Sequence, residues 1–424
     1  MSDKKKIRYI VAALGSAGDM FPTTRLAVAL KESGREVSFI TQKYYEDLLA
    51  SAGIPCVTFG EREHYIEALK NPDLWEPRKA FGALMANYRK ILECVYEALE
   101  ATVKSNETTV VISHVFTLPA VLMARERGLV SKAAAIYLAP SNIKSCYDPM
   151  RIGPVSIPKW MPMRMRRRIW AAIEKRWINP VAIAEINYVR SNLGLTPVNS
   201  FFDHINRGAD FALTLFPAWF APTQPDWPQP LLEGDFQLYT PYSQQELSAE
   251  MEEFLAKGEK PFLFTAGTGN IHGAKFFACA SVALQSNGMR GIFITGDKGQ
   301  IPEKLTENIL WQSSVSLPKA LKKAAGFVHH GGIGTIAEAM RAGVPQLVTP
   351  FAWDHFDNGA RMAELNAGLI MRASRLTPPS LAATLKTLQN STEIKNRCTR
   401  IAQQMADKMD PAQFCQKIEE AALR

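Results

Sequence analysis

The pattern that most restricts how this chain can fold is one that occurs twice. At residues 8–14 the apolar run RYIVAAL passes straight into the loop GSAGDMFP, and at residues 261–266 the run PFLFTA passes into GTGN. Each loop leads into a helical pattern and then into another apolar run, EVSFI in the first case and GIFIT in the second. A strand, a glycine-rich turn, a helix and a second strand make a βαβ unit, whose strands lie parallel and are covered by helices on both faces. Further short runs extend both sheets: VVIS, AAAIYL and FALTLF in the first half, GFVHH and QLVTP in the second. The expected fold class is α/β, with two doubly wound Rossmann-like domains facing across a cleft, because such sheets bind ligands at the carboxyl ends of their strands.

A divider separates the two halves. FPAWFAPTQPDWPQP, residues 216–230, holds five prolines and continues neither a helix nor a central strand. The expected domains are residues 1–230 and 246–424, joined by a linker at 231–245, with the last helix free to pack back on the first domain. Within the first domain, residues 74–99 and 157–177 interrupt the alternation. They read as helical insertions rich in Trp, Phe, Met and Leu, of the kind that shape a substrate cleft, although core packing would need the same residues.

The six cysteines show no CxxC or metal spacing, and the opening MSDKKKIRYI lacks an apolar signal region, so a reducing cytoplasm is expected. No apolar run approaches the roughly 20 residues that span a bilayer. A peripheral contact at the inner face of the membrane stays open. The net charge of +8 suits an anionic partner. Much of it is local, in PMRMRRRIW, where Arg164, Arg166, Arg167 and Arg168 stand between Trp160 and Trp170. A solvated helix face is the simpler reading of that stretch, membrane binding the sharper one.

The densest chemistry lies in FVHHGGIGTIAEAM, residues 327–340. A strand ends near His329, glycines let backbone amides approach a ligand, and Thr335 opens a helix whose free N–H groups and dipole favour an anion. A diphosphate is the natural guest. Adjacent histidines point in different directions and no third lies three or four residues away, which argues against a metal. A core turn with incidental histidines would read the same. Asp354, His355 and Asn358 follow the strand QLVTP close to that anion site. A carboxylate there repels a diphosphate but accepts hydrogen bonds from the hydroxyls of a sugar attached to one, which points to a sugar nucleotide. Asp354 as a helix N-cap is the alternative.

HHGGIGTIAEAMRAGVPQLVTPFAWDHFDNGARM resembles the C-terminal signature of the family 1 glycosyltransferases, nucleotide-sugar-dependent enzymes with the two-Rossmann-domain arrangement called GT-B. The similarity extends to GSAGDMFP, AWFAPTQPDWPQP, FTAGT and the closing helices, nearly the entire chain. Within the family, GSAGDMFP, LFPAWFAPTQPDWPQPL and GVPQLVTPFAWDHFDN look most like the bacterial rhamnosyltransferase B subunits of rhamnolipid synthesis. The resemblance makes His330, Gly332, Gly334 and Thr335 the diphosphate cradle, with His329 a lesser candidate. It sets Gly267 and Thr268 against the phosphates and Ser314 and Val315 near the nucleobase. Asp354 and His355 fall where the family has an Asp-Gln pair that bonds the sugar hydroxyls, and the histidine leaves the sugar open. Asp19 takes the general-base position. Apart from the resemblance, His114 of VVISHVF ends another strand of the same half, where it is a candidate partner for that aspartate, a structural histidine being the alternative. Position alone favours Asp19 as the cap of a helix beginning near Pro22.

What the resemblance implies is an inverting, metal-independent transfer by a single displacement, with no cofactor beyond a dTDP- or UDP-sugar as co-substrate. The leading donor is dTDP-rhamnose and the leading acceptor a hydrophobic hydroxylated molecule such as a 3-hydroxyacyl lipid. UDP-glucose with a sterol, polyketide or phenolic acceptor is the alternative. A nicotinamide dehydrogenase is disfavoured, since LGSAGD has two of the three glycines of G-x-G-x-x-G and EVSFITQK ends without a ribose-binding acid. A sugar-nucleotide epimerase and a non-catalytic lipid-binding subunit stay open. The partners implied are donor, acceptor, a membrane surface and a second subunit, and not nucleic acid.

Overall fold

The computed structural model describes residues 7–104, 107–151, 153, 156–239, 241, 246–268, 273–407 and 409–424. The opening residues behind the cytoplasmic expectation, most of the second half of the expected linker, and Gly269 and Asn270 of the GTGN loop lie outside the described residues. The described chain divides into two compact units: one runs to Gln237 and takes back Met409–Arg424, and the other begins at Leu238.

The first unit is built on a parallel sheet of β1 (Ile7–Ala12), β2 (Glu36–Gln42), β3 (Cys56–Phe59), β4 (Thr108–His114), β5 (Lys132–Tyr137), β6 (Phe211–Thr214) and β7 (Leu231–Leu232). Their order is β3-β2-β1-β4-β5-β6-β7, so the winding reverses between β1 and β4. Tyr9, Ile10, Val11 and Ala12 are all buried, as a parallel strand covered on both faces requires. Two short strands depart from expectation. β3 carries no apolar run long enough to announce itself, and β7 lies inside the stretch expected to be linker.

The first helix also differs: it spans Ala17–Glu32 and starts well before Pro22. Ser16 accepts from the Gly18 N–H while Asp19 accepts from the Ser16 N–H, a capping box that sets the start. Pro22 is thereby carried inside the helix. Both insertions are helical, the first as Ala80–Met85 and Tyr88–Thr102, the second as Met163–Ile173 running into a π-turn at Glu174–Ile178. The helix Pro411–Leu423 contributes Phe414, Cys415 and Ile418 to the same core as Tyr9, Leu30 and Phe39.

The second unit repeats the plan with β8 (Phe262–Thr265), β9 (Gly291–Ile294), β10 (Ile309–Gln312), β11 (Gly326–His329), β12 (Gln346–Val348) and β13 (Gly368–Ile370), again parallel. The order β10-β9-β8-β11-β12-β13 reverses between β8 and β11. The strands β10 and β13 were not expected from the sequence. Leu263, Ile292, Phe327 and Ala339 fill one side of its core. Among the described residues no helix is long and apolar enough to cross a membrane.

Candidate active site

In a doubly wound sheet the crevice for a ligand opens where the strand order reverses, at the carboxyl ends of the two strands flanking the reversal. In the first unit those strands are β1 and β4; His114 is the last residue of β4, and Asp19 stands in the first turn of the helix that follows β1. Asp19 Oδ2 accepts from the Ser16 N–H at 2.8 Å and from its hydroxyl at 3.1 Å. That fixes the carboxylate and aims Oδ1 at His114 Nε2, 3.7 Å away. Gly15, at φ +132°, leaves the room this needs, because a Cβ there would come within 2.3 Å of the Asp19 carboxylate.

The His114 side chain is 2% exposed and that of Asp19 32%. Burial pushes the His114 pKa down and the Asp19 charge pulls it up, with burial the larger influence, so the ring is neutral near pH 7. Its Nδ1 is buried without a partner. The cap reading is corrected in part: Ser16 is the N-cap, and Asp19 closes the capping box from the first turn. It is part of the helix cap and it presents a free-facing carboxylate oxygen to a buried imidazole. The hydroxyls of Tyr45 and Tyr65, 2.8 Å apart, feel the charge of the same carboxylate.

In the second unit the reversal lies between β8 and β11, which puts the FTAGT loop beside the histidine-glycine turn. The helix of that turn begins at Ile333 with Gly332 as its N-cap, so Gly334 and Thr335 stand in the first turn and present free N–H groups. His330 is wedged at its mouth. A Cβ on Gly267 would meet the His330 ring at 2.9 Å, and one on Gly332 would meet Nε2 at 2.6 Å. The His355 ring packs edge-to-face on it with centroids 4.7 Å apart. Burial first, and the neighbouring His355 second, hold the His330 pKa well below its ordinary value. His330 is thus a neutral donor, and its Nδ1 is buried without a partner. Beside Gly334 the space is open, since an added Cβ would meet nothing within 4 Å.

The other sequence candidates divide. His329 turns into the core: Nε2 donates to Gln346 Oε1 at 3.0 Å and Nδ1 accepts from the Gly331 N–H at 3.2 Å. With both ring nitrogens engaged and burial pushing its pKa down to about 3, it has no donor to offer a phosphate. His355 is likewise buried, its pKa also pushed down to about 3 by burial, and it supports His330 rather than standing in the open like a sugar-binding side chain. Asp354 is at the N-cap position of the helix His355–Glu364, yet its side chain makes no capping bond. Its Oδ2 accepts from Asn358 Nδ2 at 2.5 Å, and the same Nδ2 reaches the Gly331 carbonyl at 3.2 Å. Asn358 Oδ1 is left buried without a partner. Trp353, just before Asp354, is held at φ +56°, a strained conformation for a bulky residue of the sort that gathers at functional sites.

Thr268 is exposed beyond β8. Ser314 and Val315 follow β10, two strands from β8, with Ser314 exposed and Val315 leaning on the core. Gln346 was missed by sequence reasoning. A polar residue opening the otherwise apolar strand QLV was the signal that could have found it. Among the described residues no group of three or more His, Cys, Asp or Glu side chains is placed to hold a metal ion.

Two family models match the chain: the glycosyltransferase family 28 N-terminal domain over residues 9–125, and the erythromycin biosynthesis protein CIII-like C-terminal domain over residues 291–421. Among characterised relatives, the O-mycaminosyltylonolide 6-deoxyallosyltransferase of Streptomyces fradiae is 25% identical over 98% of both chains. The solved structure of the calicheamicin glycosyltransferase CalG4 superposes with a TM-score of 0.72 over 99% of both chains at 19% identity. The spinosyn rhamnosyltransferase SpnG complexed with thymidine diphosphate does so at 0.67, with 17% identity, over 97% of this chain and all of the other.

Proposed function

The chain is a glycosyltransferase of the GT-B fold, and from that premise we propose that it transfers a 6-deoxysugar, rhamnose first among them, from its dTDP derivative to the hydroxyl of an apolar acceptor. The observation that carries the donor half is His330: a neutral imidazole with an unpartnered nitrogen, held by two glycines and a second histidine at a helix N-terminus. A diphosphate there meets preorganised N–H groups that stabilise its charge as it leaves. Asp354 and Asn358, beside the same turn, are the groups for the sugar hydroxyls. Gly267 and Thr268 would touch the phosphates, and Ser314 and Val315 the base.

In the proposed reaction the acceptor oxygen attacks the anomeric carbon as its proton passes to Asp19 Oδ1. The bond from that carbon to the diphosphate oxygen breaks, and the nucleoside diphosphate departs with the electron pair. The anomeric centre inverts. His114 is a positioning residue: its buried, neutral ring fixes the carboxylate oxygen that Ser16 leaves free. The similar proteins, one of them a rhamnosyltransferase seen with thymidine diphosphate, support the dTDP-sugar half of this reading. They also favour a second acceptor class, polyketide-type aglycones, beside the 3-hydroxyacyl lipid that the rhamnolipid-type motifs suggest.

The test is a mass-spectrometric transfer assay with purified protein, pairing dTDP-rhamnose or UDP-glucose with a 3-hydroxyacyl lipid, a polyketide aglycone or a small phenol. Product from dTDP-rhamnose with either of the first two acceptors, abolished by Asp19→Ala, supports the proposal. Transfer only from UDP-glucose, or binding of both donors without transfer to any acceptor, overturns it.

A further inference from the structure

The helix Met163–Ile173 has two faces with opposite tasks. Its inner face is pinned to the first unit. The Trp170 indole N–H donates to the Ser145 carbonyl at 3.0 Å, and the Arg166 guanidinium donates to the carbonyls of Met161 at 2.8 Å and Cys146 at 2.7 Å. Glu174, one turn further on, is buried and paired with Lys144. These anchors fix which side of the helix looks outward.

The outward side carries Arg164, Arg167 and Arg168 at helical neighbour spacing, continued by Lys175 and Arg176, all exposed. Among the described residues no carboxylate lies within ion-pair distance of any of these five. The nearby carboxylates are already used, Asp148 by Lys159 at 2.7 Å and Glu174 by Lys144. Around this unneutralised stripe stand three of the chain's most exposed large apolar side chains: Trp160 at 82%, Trp177 at 66% and Met165 at 49%.

Trp177 owes its exposure to the π-turn. In an unbroken α-helix a residue seven positions after Trp170 would share its inward face. The wider turn at Glu174–Ile178 delays the winding and delivers Trp177 to the outside. The same turn carries Ile178 inward in its place and leads into Pro180, whose ring cannot fit an unbroken helix. Solvated basic faces do not ordinarily display two tryptophans, and an apolar protein partner would not call for five unpaired cations.

We propose that this face, formed by the helix Met163–Ile173, its π-turn and Trp160, docks on the surface of an anionic phospholipid bilayer. The tryptophans enter the headgroup boundary, where indole prefers to sit, while the arginines meet lipid phosphates. The attraction of clustered cations to an anionic leaflet falls off within a Debye length, so the docking is salt-sensitive. This inference is independent of which sugar the enzyme transfers.

The test is co-sedimentation of the full-length protein with vesicles of 30% phosphatidylglycerol in phosphatidylcholine, against pure phosphatidylcholine, at low and at high salt. Wild type is expected to bind the anionic vesicles at least about tenfold more strongly, and to release them as salt rises. The triple variant Arg164→Gln, Arg167→Gln, Arg168→Gln and the double variant Trp160→Ala, Trp177→Ala should each lose about tenfold or more. All the substituted side chains are exposed, so thermal unfolding and thymidine diphosphate binding should stay at wild-type values and confirm the fold. Equal binding to both vesicle types, or variants that bind like wild type, overturns the proposal. So does preference for an RNA or DNA duplex over the vesicles at equal salt, which would make the stripe a nucleic-acid surface.

Discussion

Asp19 Oδ1 and His114 Nε2 lie 3.7 Å apart at the carboxyl ends of the two adjacent strands where the first sheet reverses its winding. A carboxylate steadied on one oxygen by Ser16 and facing a buried neutral imidazole with the other is arranged to receive a proton. Asp19→Asn removes the basic oxygen and keeps most of the cap. It should lower kcat by about 10²- to 10⁴-fold while donor affinity, measured calorimetrically, stays unchanged. His114→Ala should lower kcat less and alter the pH profile. A change in donor affinity instead of kcat would take Asp19 out of the acceptor chemistry.

His330 is expected to act as a neutral donor to the leaving diphosphate. His330→Ala should cost about 10²- to 10³-fold in kcat. Thymidine diphosphate affinity should vary little between pH 6 and 8 in wild type, because a ring whose pKa is held well below 6.5 does not change charge in that window. Titration calorimetry across that range checks it: a steep gain in affinity towards pH 6 would mean that the ring binds as a cation.

Gly334 and Gly332 should respond differently to alanine. Gly334 has nothing within 4 Å of an added Cβ and lies in a helix, so Gly334→Ala should raise stability by up to about 1 kcal/mol and still weaken donor binding if phosphate fills that space. Gly332→Ala would press on His330 Nε2 and should damage both. Thermal melts with and without thymidine diphosphate separate the two outcomes.

Buried histidines should make the fold acid-sensitive at mild pH. His204, His329, His330 and His355 are all held below their ordinary pKa by burial. In the unfolded chain they take up protons below about pH 6.5, whereas in the folded chain they do not until far lower. The stability tied to their neutral form is complete above 6.5. It is lost as pH falls towards about 4, at up to about 1.4 kcal/mol per pH unit for each histidine. The melting temperature should be flat from pH 8 to 7 and fall steeply from 6 to 5, and His204→Gln should lessen that slope.

Ile418, fully buried in the first unit's core, tests the allegiance of the final helix. Ile418→Ala should cost about 2–5 kcal/mol, read as a lower urea midpoint in the first unit's transition with the second unit's transition unmoved.

The repeated strand-glycine-helix pattern made both sheets legible, because parallel strands buried on two faces are continuous apolar runs. The strands that escaped, Cys56–Phe59, Leu231–Leu232, Ile309–Gln312 and Gly368–Ile370, are short and lie towards the sheet edges, where burial demands less of the sequence. The first helix was placed too late because Pro22 reads as a helix start; the Ser-x-x-Asp spacing of Ser16 and Asp19, whose capping bonds the structure shows, was the signal passed over. At the candidate site the letters HHGG announced a tight turn but not which side chain each neighbour would hold. Which of two adjacent histidines faces the helix mouth depends on Gln346, and the side chain that backs His330 comes from a different strand-to-helix junction.

The return of Met409–Arg424 to the first unit carries a consequence for how the protein is made. A ribosome delivers β1 to β7 first, yet Phe414, Cys415 and Ile418, which complete the core around Tyr9, Leu30 and Phe39, emerge only after the whole second unit. During that interval the nascent first unit holds an apolar face that nothing in its own stretch of chain covers. Chaperone dependence and losses during synthesis should therefore track the time taken to translate the second unit rather than the stability of the finished molecule.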